Sequence, residues 1–452
     1  MTKYLYLIIA LACPALSYAQ QTPPPTGVVR SFTLQDCIDY AYQHQDSVVN
    51  ANLDVTSAGY RVKEITSQGL PQINGTAQFQ DYLKLPVTLV DASTFEPGIP
   101  AGTLVPFKFG LTYQSTAALN LTQKIFDANY RVGLQTRKTY QELYQRNFTR
   151  SKIEANINVT KAYYQVLVSN EQLRLLDANI VQLKQQLDQT TAQNQQGFVE
   201  KIDVDRLTVQ YNNLLTNKDN TVRMLVLNYE LLKFQMGMPI QEEIALKDKL
   251  QDIKLEENIA GLDADTSFYH NRIEYNLLES QKQLNEFDVK SKKAAFLPNL
   301  GFFANYGTTF QNNSFSNLYS QNFPSSYIGL TLNVPIFSGF QHKYQLAQSK
   351  IVVMKNNNDL FNLKNALSLQ ASQARITYTN GLHTLNDQKK NQALAAEVLR
   401  VAKIKYQQGV GSSIEVTQAE TDLQTADNNY IQGLYQALIS KVDLDKAYGR
   451  IK

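Results

Sequence analysis

A nine-residue segment of this chain occurs twice, and that repetition confines the chain to elongated, duplicated folds. Gln196-Gly197-Phe198-Val199-Glu200-Lys201-Ile202-Asp203-Val204 returns as Gln408-Gly409-Val410-Gly411-Ser412-Ser413-Ile414-Glu415-Val416, a shift of 212 positions. The same shift carries Leu232 to Leu444 and Met236-Gly237 to Tyr448-Gly449, so the register survives without a gap. A second match lies upstream: Leu70-Pro71 with Leu297-Pro298, and Leu121 through Ile125-Phe126 with Leu332 through Ile336-Phe337. Such self-similarity marks a supersecondary unit used more than once. Between Pro71 and Ile125 lie 54 positions, against 38 from Pro298 to Ile336, so the first copy carries about 16 extra residues there. That insertion holds Pro86, Pro97, Pro100 and Pro106, a composition that reads as loop.

Around each repeated glycine the sequence is helical. Neither Gly nor Pro occurs from Leu134 to Gln196, nor from Phe198 to Met236. Runs longer than ~25 residues point to coiled coil or a helical array. Leu173, Leu176, Ile180, Leu183 and Leu187 step by 3 and 4, and Val204, Leu207, Tyr211 and Leu214 continue the heptad after the turn. In the second copy Val416, Ala419, Leu423, Ala426 and Tyr430 take the same frame. A ~60-residue helix spans roughly 90 Å, a length no compact globule needs. The faces away from the seam are rich in Gln, Asn, Thr and Lys, the composition of a solvated face.

Four shorter segments alternate with period two. Ile73, Gly75, Ala77 and Phe79 oppose Asn74, Thr76, Gln78 and Gln80, and Leu300, Phe302, Ala304 and Tyr306 fall on the matching face of the second copy. Ala117, Leu119 and Leu121 oppose Thr116, Asn120 and Thr122, while Ile328, Leu330, Leu332 and Val334 oppose Thr331 and Asn333. This pattern fits a half-buried soluble sheet or a transmembrane barrel, apolar to lipid and polar to the lumen. Four strands cannot close a barrel, and an open edge cannot stand in lipid. If these strands cross a membrane, several chains must share one barrel.

The amino terminus reads as an export signal over residues 1–19: Lys3, an apolar core from Leu5 to Ala12, and a Ser17-Tyr18-Ala19 cleavage site. Cys13 offers a competing lipid-anchored start, although Ala10-Leu11-Ala12 lacks the large aliphatic residue expected three places upstream. Cleavage at Ala19 leaves Cys37 alone, so no internal disulfide holds the mature chain. No run of ~20 apolar residues follows, so no helix spans a bilayer. A net charge of +3 over 452 residues gives no electrostatic case for nucleic acid. His44, His270, His342 and His383 are scattered, and no metal, nucleophile or cofactor motif occurs. Gly409-Val410-Gly411 follows a helix rather than a strand and lacks the third glycine of a dinucleotide loop. The chain reads as a non-enzyme without cofactor or catalytic residue.

A duplicated unit of two strands and a glycine-turned pair of very long helices resembles the TolC-like outer membrane factors. The likeness covers nearly the whole mature chain, and its most specific residues are the turns Gly197 to Val204 and Tyr406 to Val416, supported by the Leu-Pro pairs and the Ile336-Phe337-Ser338-Gly339 corner. The resemblance implies a mainly α fold with transmembrane β: very long antiparallel coiled-coil helices forming a periplasmic tunnel, and four strands per subunit in a shared trimeric barrel. It implies a homotrimer in the outer membrane of a Gram-negative bacterium, in contact with outer-membrane lipid. Its partners would be a periplasmic adaptor (membrane fusion) protein and an inner-membrane pump or ABC exporter, as a tripartite efflux pump or type I secretion system. Residues 20–30 are then a Pro-rich leader, 31–238 the first repeat, 239–265 a connecting equatorial segment and 266–452 the second repeat. Strand pairs are expected at about 72–126 and 299–337, and helical hairpins at about 128–237 and 340–448. Pro71 and Pro298 would be hinges where each strand pair begins.

The resemblance also assigns roles at the turns. Gly197, Phe198, Val199, Gly409, Val410 and Gly411 match the hairpin tips that meet the adaptor. Asp203 and Glu415 match an acidic position six residues after each tip glycine; in the family, acids on the second copy's inner helix can ring the pore entrance, and such a ring favours cations and could bind divalent metal. Gln418 stands where well-known relatives carry a second acid, which weakens the ring. Tyr406 matches a tip tyrosine able to hydrogen-bond an acid such as Asp203, and Gly411 replaces an arginine of some relatives. A solvated helix start, favoured by the helix dipole, accounts for Asp203 and Glu415 equally well. The competing class is a periplasmic coiled-coil adaptor or scaffold without a pore.

Overall fold

A computed structural model describes residues 30–94, 98, 100–250, 253, 255 and 267–451. The export signal, Cys13, the Pro-rich leader and much of 251–266 lie outside the described residues. The elements run β1 (Arg30–Phe32), α1 (Leu34–His44), α2 (Asp46–Ser67), β2 (Gln72–Asp81), β3 (Val87–Asp91), β4 (Leu104–Lys108), β5 (Tyr113–Phe126), α3 (Ala128–Gln195) and α4 (Lys201–Met236). After β6 (Ile244–Leu246) come α5 (Ile273–Ala294), β7 (Asn299–Asn312), β8 (Asn322–Asn333), α6 (Gln341–Gln407) and α7 (Ser413–Ala447).

Helices α3 and α6 are 68 and 67 residues long, about 100 Å each at 1.5 Å per residue. Each has two shorter companions, of 22 and 36 residues on α3 and of 22 and 35 on α6. Arg137 of α3 donates to Thr66 of α2 (3.2 Å) near the strands, and Asn228 of α4 donates to Ser169 of α3 (2.8 Å) farther along. In the second copy α5 and α7 accompany α6 in the same way. The heptad residues do what their spacing requires: Leu176, Leu183, Leu207 and Leu214 form one buried cluster, and Leu399, Ala402, Val416 and Ala419 another.

The shorter helices meet midway, and glycine makes the junction possible. Helix α4 ends at Gly237 (φ +72°), where a Cβ would lie 2.5 Å from the His44 carbonyl oxygen. Helix α7 ends at Ala447, two residues before Gly449 (φ +65°), where a Cβ would lie 2.8 Å from the Asn271 carbonyl oxygen. Gly237 and Gly449 are related by the 212-residue shift, whereas His44 and Asn271 share the 227-residue shift of Pro71 and Pro298. The shift falls between the two because the first copy contains the β3–β4 insertion.

That insertion corrects the sequence reading. Instead of loop, β3 and β4 pair antiparallel as an isolated hairpin, with Pro106 opposite Leu89. A two-stranded ladder consists only of edges, where a missing N–H is tolerated. The first-copy helix before the strands is also two helices, broken at Gln45, whose side chain caps α2 by accepting from the Val48 N–H (3.1 Å).

The segment linking the repeats is fastened to the middle of the shaft. Strand β6 pairs parallel with β1, and the Asp248 carboxylate accepts from the Leu34 N–H (2.9 Å) and the Tyr163 hydroxyl (2.8 Å). Cys37, Val159, Tyr163, Val166, Leu232 and Met236 form the buried cluster beneath. Burial pushes the Cys37 thiol up to about 12, so it serves as an inert packing group. Leu250 and Ile253 pack on this cluster and on that of Val168, Ile431 and Leu438, and Leu255 reaches the cluster of Leu367, Tyr378 and Leu444.

The glycine junctions and the glycine tips should separate on substitution. Gly197→Ala meets open space and suffers only its left-handed backbone (φ +80°), about 1–2 kcal/mol. Gly237→Ala adds the collision with the His44 carbonyl and should lower the thermal midpoint, followed by circular dichroism, well beyond the Gly197→Ala change.

Candidate functional site

The four long strands form one antiparallel sheet in the order β2-β5-β7-β8. Helices α2, α3, α5 and α6 all attach at one end of it, while β3–β4 and the 313–321 turn occupy the other. Register aligns the alternating faces across all four strands. Ile73 pairs with Leu121, Leu121 with Ala304 and Ala304 with Ile328, an apolar row, and Leu332 continues that face opposite Leu300. On the other side Asn74, Asn120 and Asn305 align, and the Asn305 amide donates to Asn120 (2.7 Å). The apolar face is bare: Ile328 is 77% exposed and Leu330 64%.

Aromatic rings gather at both ends of the sheet. Phe79, Tyr113 and Phe315 pack at centroid distances of 5.6–6.4 Å at the turn end, and Phe310 lies 5.2 Å from Tyr319. At the helix end Phe337 stacks edge-on against Phe340 (5.6 Å), beside Ile336, which is 92% exposed. Apolar bands flanked by aromatic girdles characterise outer-membrane strands, and 10–14 residues per strand suffice for a tilted crossing. Among the described residues no helix is long and apolar enough to cross a membrane. Pro71 and Pro298 sit between helix and strand at the start of β2 and β7.

At the opposite extreme of the shaft are the two hairpin tips. Gly197 (φ +80°) and Gly409 (φ +75°) end α3 and α6 in matching geometry: Phe198 N–H donates to Gln193 O (3.0 Å), and Val410 N–H to Lys405 O (3.0 Å). These six-to-one bonds are the glycine-dependent helix stop. The Asn194 amide braces the first tip by donating to Val199 O (2.8 Å). At Gly411 a Cβ would lie 2.9 Å from the Lys405 Cβ, so this backbone has no room for the arginine of some relatives. Phe198 and Val410, equivalent by the repeat, are 77% and 78% exposed.

Asp203 and Glu415 both occupy the first turn of their helices, yet only Asp203 is engaged. The Ser413 hydroxyl donates to the Asp203 carboxylate, joining α7 to α4, and Arg206 stands 3.7 Å away. Tyr406 does not make the hydrogen bond to Asp203 that the resemblance suggests: its hydroxyl is buried without a partner, and burial, with the Asp203 charge beside it, pushes the phenol up. Glu415 is exposed, its N–H donating to the Ser412 hydroxyl that caps α7 (3.3 Å). Gln418 is exposed one turn on and donates to Asp422 (2.9 Å). Asp422 thus supplies an acid on the Glu415 face that matching six-residue spacings overlooked; the i, i+4 step from Gln418 was its available signal. Deeper between the hairpins Glu420 pairs with Lys403 (3.1 Å), and Asp427 accepts from Asn179 and Gln392 (2.8 Å each). Among the described residues no three His, Cys, Asp or Glu side chains gather closely enough to hold a metal ion.

A sheet with one lipid-suited face, set on a shaft of paired helices with glycine tips, defines the subunit of an outer-membrane channel. The chain belongs to the outer membrane efflux protein family, whose profile matches residues 37–218 and 281–450, one match in each repeat. It is 21% identical to the outer membrane protein TolC of Escherichia coli over 364 residues, covering 75% of this chain and 70% of TolC. It is 22% identical over 413 residues to the probable efflux pump outer membrane protein TtgC of Pseudomonas putida, covering 89% and 79%. The crystal structure of the outer membrane protein VceC from Vibrio cholerae superposes with a TM-score of 0.71 at 13% identity, over 92% of this chain and 96% of that one.

The two faces of β5 give a direct prediction. Leu119→Lys places a charge on the apolar face at a cost of about 2–4 kcal/mol near a bilayer midplane. It should abolish recovery of assembled protein in the outer-membrane fraction. Asn120→Lys, one residue along on the polar face, should assemble at near wild-type yield.

Proposed function

We propose that three copies of this chain close one twelve-stranded barrel, β8 of each against β2 of the next, and conduct substrates passively across the outer membrane. The observation that carries this reading is the sheet itself: its bare apolar face suits lipid rather than water, while its two long edges, unpaired among the described residues, cannot stand in lipid unless other chains complete the wall. The trimer is what the family resemblance supplies. Residues 1–19 direct export, 31–238 and 266–452 are the two repeats, and the helices continue the barrel as a periplasmic tunnel. The chain acts as a channel rather than an enzyme. An inner-membrane pump or ABC exporter supplies the energy, and an adaptor meets the tips at Phe198, Val199 and Val410, flanked by Gly197, Gly409 and Gly411.

At the tip, Glu415 and Asp422 are the acids of the pore entrance, with Gln418 orienting Asp422. The Ser413–Asp203 hydrogen bond holds one hairpin to the other in the closed state, and Tyr406 packs beside it. Single-channel recording of the purified protein tests the reading. A hydrogen bond to a charged group contributes about 1.5–3 kcal/mol. Asp203→Ala and Ser413→Ala should therefore raise the open population about tenfold or more. Glu415→Ala with Asp422→Ala should reduce cation selectivity while leaving the open population unchanged. A protein that inserts and never conducts contradicts the proposal.

A further inference from the structure

Positive charge gathers where the helices join the sheet. Residues 61–71, 123–133, 287–298 and 334–347 make these four junctions, and they hold eight Lys and Arg against three acids, while the whole chain carries only +3. Each acid is taken: Glu64 pairs with Arg61, Asp127 with Lys124 (3.5 Å) and Asp288 with Lys292 (3.9 Å). Lys63, Arg131, Lys290, Lys293 and Lys343 remain, all exposed and none paired with an acid among the described residues. Four of them stand over aromatic rings: Lys290 4.6 Å from Phe287, Lys63 5.3 Å from Tyr60, Lys343 5.8 Å from Phe340 and Arg131 5.9 Å from Phe126.

The sheet register fixes the side. A bulge brings Phe126 opposite Leu300, and Leu300 pairs with Leu332, so Phe126 ends an apolar row and Arg131 stands over that face. On α5, Asn285 bonds to Asn356 of α6 and Ser291 to Asn129 of α3, and Lys290 and Lys293 share a stripe that avoids both. At 1.5 Å per residue, all five cations lie within about 6 Å of the helix ends that meet the sheet. The polar layer on each side of a bilayer's hydrocarbon is roughly 5–7 Å thick. The turn end of the sheet has no such excess: Lys84 and Lys108 stand against Asp81 and Asp91 among the described residues.

We propose that these five cations form a collar that binds the anionic headgroups of phospholipid in the leaflet nearest the helices. The inference rests on the sheet crossing the bilayer, as proposed above. Every collar group is a donor without an acceptor, and a phosphate offers only acceptors, so their contact is charge-assisted. A zwitterionic headgroup brings its own cation to that phosphate; an anionic one leaves the charge to the collar. The rings hold the cation stems at the hydrocarbon boundary.

The test uses the full chain reconstituted in phosphatidylcholine vesicles with a trace of spin-labelled phosphatidylglycerol or spin-labelled phosphatidylcholine. Electron paramagnetic resonance reads the fraction of label held at the protein surface. Both labels should show a held fraction, and phosphatidylglycerol should associate about threefold or more tighter. Lys63→Gln, Arg131→Gln, Lys290→Gln, Lys293→Gln and Lys343→Gln together should remove the preference and keep the held fraction. Lys84→Gln with Lys108→Gln should change neither. Lys290→Gln with Lys293→Gln should already lower the preference, and this pair decides the matter if the five-site variant fails to assemble. Equal association of the two labels, or a preference that survives loss of the collar cations, would overturn the collar and leave the membrane-spanning sheet standing. No held fraction with either label would overturn the spanning sheet and the collar with it.

Discussion

An unpaired backbone N–H or carbonyl costs several kcal/mol in hydrocarbon, and a four-stranded sheet has two edges lined with them. The strands β2 and β8 are those edges, 10 and 12 residues long. Their apolar residues rule out the remedy of leaving the sheet in water, since Ile328, Leu330 and Leu332 would stand bare there. Lipid covers the apolar face, but a single chain leaves its edges unpaired there. In the proposed oligomer further copies pair those edges, and closure turns the Asn74–Asn120–Asn305 row inward as the wall of an aqueous passage.

The helices extend that passage, and their design differs along the length. At the middle, the junctions at Gly237 and Gly449 and the clusters around Tyr163 and Tyr378 fasten the connecting segment to both repeats. Toward the tips polar contacts become prominent: Asp427 with Asn179 and Gln392, then Glu420 with Lys403, then Ser413 with Asp203. Apolar packing fixes the middle, and separable hydrogen bonds join the ends. In the proposed channel the hairpins part at the tip while the shaft keeps its register.

Much of the fold was legible because its signals are periodic. The Leu176, Leu183, Leu207 and Leu214 seam follows from heptad spacing alone, and the sheet faces from period-two alternation, since both depend only on local geometry. The β3–β4 hairpin was hidden by Pro106, which reads as a strand breaker until every strand involved is an edge. The break at Gln45 lacks Gly or Pro and depends on a side-chain cap. The tip contacts were the least legible. Ser413 and Asp203 lie 210 positions apart, and their meeting is set by how α4 and α7 are rotated against each other. No local pattern encodes that rotation, so Ser413, rather than Tyr406, took the Asp203 carboxylate unannounced. Glu420 and Lys403 were missed for the same reason.

The claim that edges of different chains pair is open to a direct measurement. Thr76 of β2 and Ser325 of β8 lie on the polar face of the sheet. Two strands intervene within one chain, placing the edges about 14 Å apart, beyond the ~7 Å that a disulfide spans. A cysteine at Thr76, combined in turn with one at Phe323, Ser325 or Tyr327, should oxidise in membranes to an interchain bond in at least one register, giving covalent products of up to three chains. Cross-linking confined within one chain, or a dissolved monomer with no cross-link in any register, would contradict the account.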